Sequence, residues 1–233
     1  MNLYNNKDNI KDNQSIYDNY NDFMMSNDRN VFFKLFARHD IFNLTRELNG
    51  DIVECGVFKG SGLLSWLKML DMYQPHSIKK VIGFDFFDLN FVDSLNDTVD
   101  KTTMKQVFSR DTKLKNEDIS LEGINKKIIN AGFKSNKFEL IKGDISATSF
   151  EFIKTRPGFR ISLLYLDMDL EKPTFDALTN LWDRVVPGGV VVFDEYAYHS
   201  WSEANAVDKF FKDKNVKFIN THIQTPTAYI IKG

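Results

Sequence analysis

Two pairs of acidic residues, each directly following a short apolar run, are the side chains in this sequence best placed to do chemistry. Asp167 and Asp169 follow Ile161–Leu166 (ISLLYL), and Asp194 and Glu195 follow Val190–Phe193 (VVVF). If the two runs are neighbouring strands, their tips lie about 4.8 Å apart and the four carboxylates share one crevice. Carboxylates so crowded repel or take up protons unless a cation lies among them. An all-oxygen set favours a hard ion, Mg²⁺ before Ca²⁺ or Mn²⁺. Without an ion, Asp169 would cap the following helix and Glu195 would face solvent. One acidic strand end is commonplace, whereas two in succession are not.

A second set lies earlier. Glu54-Cys55-Gly56-Val57-Phe58-Lys59-Gly60-Ser61-Gly62 runs from an apolar strand through a loop into a helix. Glycines let the backbone turn tightly and approach a ligand, and the helix start offers free N–H groups. Gly56, Gly60 and Gly62, with Phe58 and Ser61 among them, suit a nicotinamide site, an adenosyl-methionine site or a plain tight turn. Glu54 stands two residues before the first glycine. There a carboxylate would hold the cationic amino group of a methionine moiety and repel a pyrophosphate. A short-chain dehydrogenase also needs Tyr-x-x-x-Lys, and no Tyr in the chain has Lys four residues on. Asp85, ending the next apolar run, is placed to accept hydrogen bonds from ribose hydroxyls. Asp144, ending the third run, is a similar candidate for an adenine amino group. His199, among Tyr196, Tyr198 and Trp201, is a second candidate base after Asp169. A histidine among aromatics is otherwise structural.

These residues need elements to hold them. The sequence predicts strands at 51–56, 80–85, 138–144, 161–166 and 190–193, with helices starting near 26–28 and at 63–73, 121–131, 173–185 and 204–212. Two last strands, 216–221 and 227–231, are joined too closely for a crossover helix, so they pair antiparallel. Near-continuous apolar strands alternating with helices predict an α/β, mostly parallel sheet covered on both faces. Residues 88–120 are polar, with one short helical candidate at 103–108, and are long enough for a lid. Residues 1–30 are crowded with Asn and Asp and read as a flexible or loosely docked N-terminal arm before a single domain over 31–233.

Composition narrows the function. A chain of 233 residues with 30 basic and 32 acidic side chains carries a net charge of -2, which argues against a binder that neutralises nucleic-acid phosphates. One Cys forms no internal disulfide and fits a cytoplasmic setting. No apolar run is long enough to span a bilayer. The 21 Phe fit a sheet buried on both faces.

With these residues laid out, the chain resembles the macrocin O-methyltransferase (TylF-like) family of class I adenosyl-methionine-dependent enzymes. The resemblance rests on GDIVECGVFKGSG, LYLDMDLEKPTFDALTNLWDRVVPGG and VVVFDEYAYHSWSEANAVDKFF. It implies a Rossmann-like sheet of order 3-2-1-4-5-7-6 with strand 7 antiparallel. It also implies S-adenosyl-L-methionine and Mg²⁺ as cofactors, Asp167, Asp194 and Glu195 as metal ligands, and Asp169 as general base. Glu195 departs from the commoner Asp-Asp pair, and GDISATSFEF departs from the usual wording around Asp144. The acceptor implied is a sugar hydroxyl of a small molecule, with a homodimer as the expected assembly. A catechol or phenol methyltransferase would use the same carboxylates, and a non-catalytic cofactor-binding scaffold predicts damage to them. Asp167, Asp169 and Asp194 are all intact.

Overall fold

Five apolar runs form the parallel heart of the sheet: β1 (Asp51–Cys55), β2 (Val81–Asp85), β3 (Phe138–Lys142), β4 (Ile161–Leu166) and β5 (Val185–Phe193). The computed structural model describes residues 7–95 and 97–233. Two short strands, β6 (Ile219–Asn220) and β7 (Ala228–Ile231), complete a seven-stranded sheet of order β3-β2-β1-β4-β5-β7-β6. β7 pairs antiparallel with both β5 and β6. This is the topology that the resemblance implied.

The helices are α1 (Lys7–Met25), α2 (Asn30–Thr45), α3 (Ser61–Tyr73), α4 (Phe91–Ser94), α5 (Thr98–Arg110), α6 (Asn116–Ile119), α7 (Leu121–Asn130), α8 (Ile145–Lys154), α9 (Glu171–Leu181) and α10 (Glu203–Phe211). Alternate strand residues point to opposite faces, and both faces are covered. Ile52, Val81, Leu163 and Tyr165 pack with Phe42, Trp66, Ile124 and Ile128 from α2, α3 and α7. Val53, Phe84, Leu164 and Phe193 pack with Phe152, Leu178 and Phe211 from α8, α9 and α10.

Register decides where the chemistry falls. Cys55 pairs with Phe84 on one side and Leu166 on the other, and Leu166 pairs with Phe193. The next residue in each strand or loop, Gly56, Asp85, Asp167 and Asp194, therefore stands in one row at the carboxyl edge of the sheet.

Several elements differ from the sequence expectation. α8 is new: its Ser/Thr content hides the apolar period, but Ser149 Oγ and Thr148 Oγ1 donate back to the carbonyls of Ile145 and Asp144, so the hydroxyls are absorbed within the helix. Ile145, Ser149 and Phe152 form its buried stripe. The Asn- and Asp-rich start forms helix α1 despite poor intrinsic propensity; its residues 1–6 lie outside the described residues. Residues 88–120 hold three helices instead of one candidate. β5 begins five residues before the expected strand 190–193 and takes in Pro187-Gly188-Gly189, where the register with β4 shifts between Ile161 and Leu163. Among the described residues, no helix is long and apolar enough to cross a membrane.

Candidate active site

The loop after β1 is built around two close approaches. A Cβ at Gly56 would lie 1.8 Å from the Asp167 carbonyl oxygen, and one at Gly62 would lie 2.0 Å from Glu54 Oε1. Only hydrogen fits at either place. Asp85 organises the same loop. Its Oδ2 accepts the Val57 and Phe58 amides at 2.7 and 2.9 Å, and its Oδ1 accepts that of Phe87 at 2.8 Å. Phe58 and Phe87 are held at φ 47° and 51°, a left-handed conformation costly for bulky residues.

A cavity of about 730 Å³ opens over this edge of the sheet. Its lining includes Glu54, Gly56, Phe58, Ser61, Gly62, Asp85, Asp144, Asp167 and Asp169. Gly60 is not among the lining residues; it supplies the left-handed turn at the start of α3, φ 85°. Asp144 caps α8 by accepting the Ser146 amide at 2.9 Å. One wall comes from the 88–120 insertion, through Phe91, Asp100, Met104 and Phe108, and another from Phe23 of α1 with Val31, Lys34 and Leu35. The N-terminal segment thus contributes to the wall.

Glu54 is buried at 1% exposure. Burial pushes its carboxyl up to about 8, against the pull of Arg38. Arg38 Nη2 stands 4.0 Å from Glu54 Oε1 and 3.8 Å from Asp167 Oδ2, with its guanidinium over the rings of Trp66 and Tyr165. Glu54 Oε2 and the indole N–H of Trp66, which faces Glu54, are both buried and stand outside hydrogen-bond geometry. That orphaned oxygen suits a ligand ammonium, because a buried acceptor left unmade is costly.

The acidic crevice forms as the paired strand ends implied. One oxygen each from Asp167, Asp194 and Glu195 lie within 4.8 Å of one another. Burial, then Asp194, raises Asp167 to about 6, and burial, then Asp167, raises Asp169 to about 7. Glu195 is pushed up much further, by burial and then Asp169, and shares a hydrogen bond with Asp169. Glu195 Oε2 is buried and without a partner. The donor set is all oxygen, crowded and short of donors, and it fits a hard divalent cation. Asp169 sits at φ 65°, a strained conformation for a non-glycine residue of the kind found at functional sites. Its carbonyl accepts the Glu203 amide at 3.1 Å, and Glu203 Oε1 accepts the Glu195 amide at 3.1 Å.

His199 is not brought to this crevice: it is exposed, stacked on Tyr198 and absent from the cavity lining. Four residues that sequence reasoning passed over are brought there. Lys34 Nζ donates to Asp194 Oδ2 at 2.7 Å and to Asp167 Oδ2 at 3.3 Å. Burial opposes its charge, but Asp167 and Asp194 outweigh that and hold the ammonium protonated. Tyr165 donates to Asp194 Oδ1. Arg38 and Glu203 complete the set. The available signal was a pair of cations four apart, on one face of an otherwise apolar helix.

This topology, with a glycine loop after β1 and carboxylates at the ends of β2, β4 and β5, defines the class I methyltransferase fold. The chain aligns over its full length, at 20% identity, with the apo structure of CalS11, a TDP-rhamnose 3'-O-methyltransferase of calicheamicin biosynthesis, covering 89% of it with a TM-score of 0.67. The O-methyltransferase NovP aligns with 84% of this chain and 78% of its own, at 22% identity and a TM-score of 0.68. Residues 37–232 match the macrocin O-methyltransferase (TylF) family, and the chain belongs to it. A curated relative, the 8-demethyl-8-(2,3-dimethoxy-alpha-L-rhamnosyl)-tetracenomycin-C 4'-O-methyltransferase of Streptomyces olivaceus, is 27% identical over 158 residues. That match covers 66% of this chain and only 56% of the relative's length.

Proposed function

We propose that this chain is an S-adenosyl-L-methionine-dependent, divalent-metal-dependent O-methyltransferase acting on a sugar hydroxyl of a glycoside, nucleotide sugar or glycan-related small molecule. One observation carries the reading: within a TylF-family chain, a single cavity is lined by Glu54, Asp167 and Asp169 together. The sugar acceptors named for the Streptomyces relative and for CalS11 support the acceptor class.

In this reading Glu54 takes the ammonium of the methionine moiety, and the backbone around Gly56, Phe58, Gly60, Ser61 and Gly62 cradles it. Asp85 spends part of its acceptor capacity on loop amides; a carboxylate has about four lone-pair sites, and the remainder serves the ribose. Asp144 caps α8 through one oxygen and offers the other to the adenine amino group. Asp167, Asp194 and Glu195 would hold the metal. When bound, a divalent cation lowers the pKa of an acceptor hydroxyl and fixes its oxygen. Asp169 takes the proton. A carboxylate raised to about 7 is matched to proton transfer near neutral pH. Its strained backbone is tied to Glu203, which holds the base in place while the residues around it position the acceptor. The helices of 88–120 serve as a lid that keeps water out. The exposed apolar face of α2, with Phe33, Phe36 and Leu44, supports a homodimer, and the buried thiol of Cys55 fits a cytoplasmic setting.

The test is calorimetry with S-adenosyl-L-methionine, followed by methyl-transfer assays on rhamnosyl glycosides, TDP-rhamnose and a catechol, each with and without EDTA. Cofactor binding with EDTA-sensitive transfer to a sugar is expected. Absence of binding removes the cofactor assignment, EDTA-insensitive transfer removes the metal, and transfer to catechol alone moves the acceptor class.

A further inference from the structure

We propose that Lys34 is a built-in competitor for the metal: a tethered ammonium that fills the ion's charge role in the ion-free protein and must leave when the ion binds. The inference rests on reading Asp167, Asp194 and Glu195 as the metal ligands, and it concerns what this chain does before the ion arrives.

The geometry is specific. Lys34 Nζ bridges Asp194 Oδ2 and Asp167 Oδ2 at 2.7 and 3.3 Å, and the same two residues supply ligand oxygens to the candidate cluster. Metal–oxygen bonds for a small divalent ion are about 2.1 Å, so an ion on those same oxygens would stand no more than about 5 Å from the ammonium. A single positive charge and a double one that close, with a half-buried lysine as one member, repel strongly. The other oxygen of Asp194 accepts from Tyr165, so Lys34 and Tyr165 between them engage both oxygens of this carboxylate.

Placement supports the same view. Lys34 lines the cavity, whereas Asp194 and Glu195 do not; they are buried at 0% and 6% exposure. The ammonium therefore stands between the cavity and Asp194. Glu195 Oε2, more than nine-tenths buried and without a partner, marks the acceptor that the lysine leaves unanswered. As placed, the ammonium bridges two of the three carboxylates and leaves the third unmet.

The consequence reaches α2. Lys34 lies between Val31 and Leu35, which line the cavity, and Phe32 of the same helix packs against Phe23 of α1. The ion pairs of Lys34 pin this wall to the strand ends. An ion that displaces the ammonium also unpins the wall, so metal loading and the mobility of α1–α2 are coupled. Arg38, one turn on and buried over the rings of Trp66 and Tyr165, stays as the anchor of the helix. Lys34 is thus a positioning residue whose release accompanies loading of the site.

The experiment titrates Mn²⁺ into the full chain, following free ion by electron paramagnetic resonance, for wild type, Lys34→Met and Lys34→Arg. Binding of S-adenosylhomocysteine checks that each variant is folded. Lys34→Met should bind Mn²⁺ about tenfold or more tightly than wild type, and Lys34→Arg, which keeps the charge, should not. Hydrogen exchange over residues 14–45 should rise with Mn²⁺ in wild type and be insensitive to Mn²⁺ in Lys34→Met. Equal or weaker Mn²⁺ binding by Lys34→Met overturns the proposal, as does absence of Mn²⁺ binding by every variant or a wild-type exchange pattern unmoved at Mn²⁺ saturation. If the affinity order holds while no chain transfers a methyl group to sugar, the proposed function falls and the competition stands.

Discussion

Asp85 and Asp167 occupy equivalent places on either side of β1, each directly at the carboxyl end of a parallel strand, yet the protein treats them in opposite ways. Asp85 is met by the main-chain amides of Val57, Phe58 and Phe87. Asp167 is met by other carboxylates and by side-chain cations, Lys34 and Arg38, imported from α2. Fixed backbone dipoles make a carboxylate part of the scaffold. Neighbouring carboxylates make one expensive to ionise and leave it dependent on a side-chain cation. In the proposed function, the β1–β2 side of the crevice is pre-formed for a cofactor, while the β4–β5 side is kept under electrostatic stress for chemistry.

The sharpest way to break this contrast is Asp169→Asn. Steady-state kinetics should show turnover falling by about 10²–10⁴-fold, the usual worth of a general base, with cofactor affinity nearly unchanged; equal loss of both would move Asp169 to the cofactor side. Glu54→Gln comes next. Removing the charge that meets an ammonium should weaken S-adenosyl-L-methionine by about tenfold to a hundredfold by calorimetry, in line with ~1.5–3 kcal/mol for a charged hydrogen bond. An unchanged affinity would leave Glu54 only its pairing with Arg38.

Asp85→Ala should act on the scaffold itself. Freeing the amides of Val57, Phe58 and Phe87 should cost about 1–3 kcal/mol in denaturant unfolding, and no loss would show that the loop holds its strained residues without the carboxylate. The smallest effect is on pH. Glu54, Asp167 and Asp169 are raised to about 8, 6 and 7, so in this window the folded ion-free chain binds more protons than the unfolded one. Their contribution is fully present below the unfolded carboxylate range near pH 4 and is lost as pH rises through 6 to 8. The melting temperature without ligand should fall by a few degrees between pH 5.5 and 8, and added Mg²⁺ should flatten the slope by stabilising the ionised forms. A melting temperature that rises with pH would contradict the stressed half of the comparison.

The sequence carries these two halves unequally. Gly56, Asp85, Asp167 and Asp194 are legible because each follows an apolar run, and parallel pairing aligns run ends whatever the intervening helices do. The cations that answer the carboxylates are not legible, since Lys34 and Arg38 lie more than a hundred residues before Asp167 and reach it only by the docking of α2. α8 was hidden because back-bonded hydroxyls look polar on paper and are not polar in place. His199 stood close to the acidic pair in sequence, but the turn after Glu195, with Ala197 at φ 62°, carries it outward onto Tyr198.

Trp66 gives the packing of this site an optical consequence. Its indole is fully buried, faces Glu54, lies 5.6 Å from the ring of Tyr165 and sits under the Arg38 guanidinium. Its excited state is therefore bathed in the field of the very charges that the proposed ligand loading would rearrange. Trp182 lies in the opposite core layer and Trp201 against the insertion, so replacing both with Phe would leave a single tryptophan. The chain would then read out the charge state of its own crevice as a shift in emission colour, with no label attached.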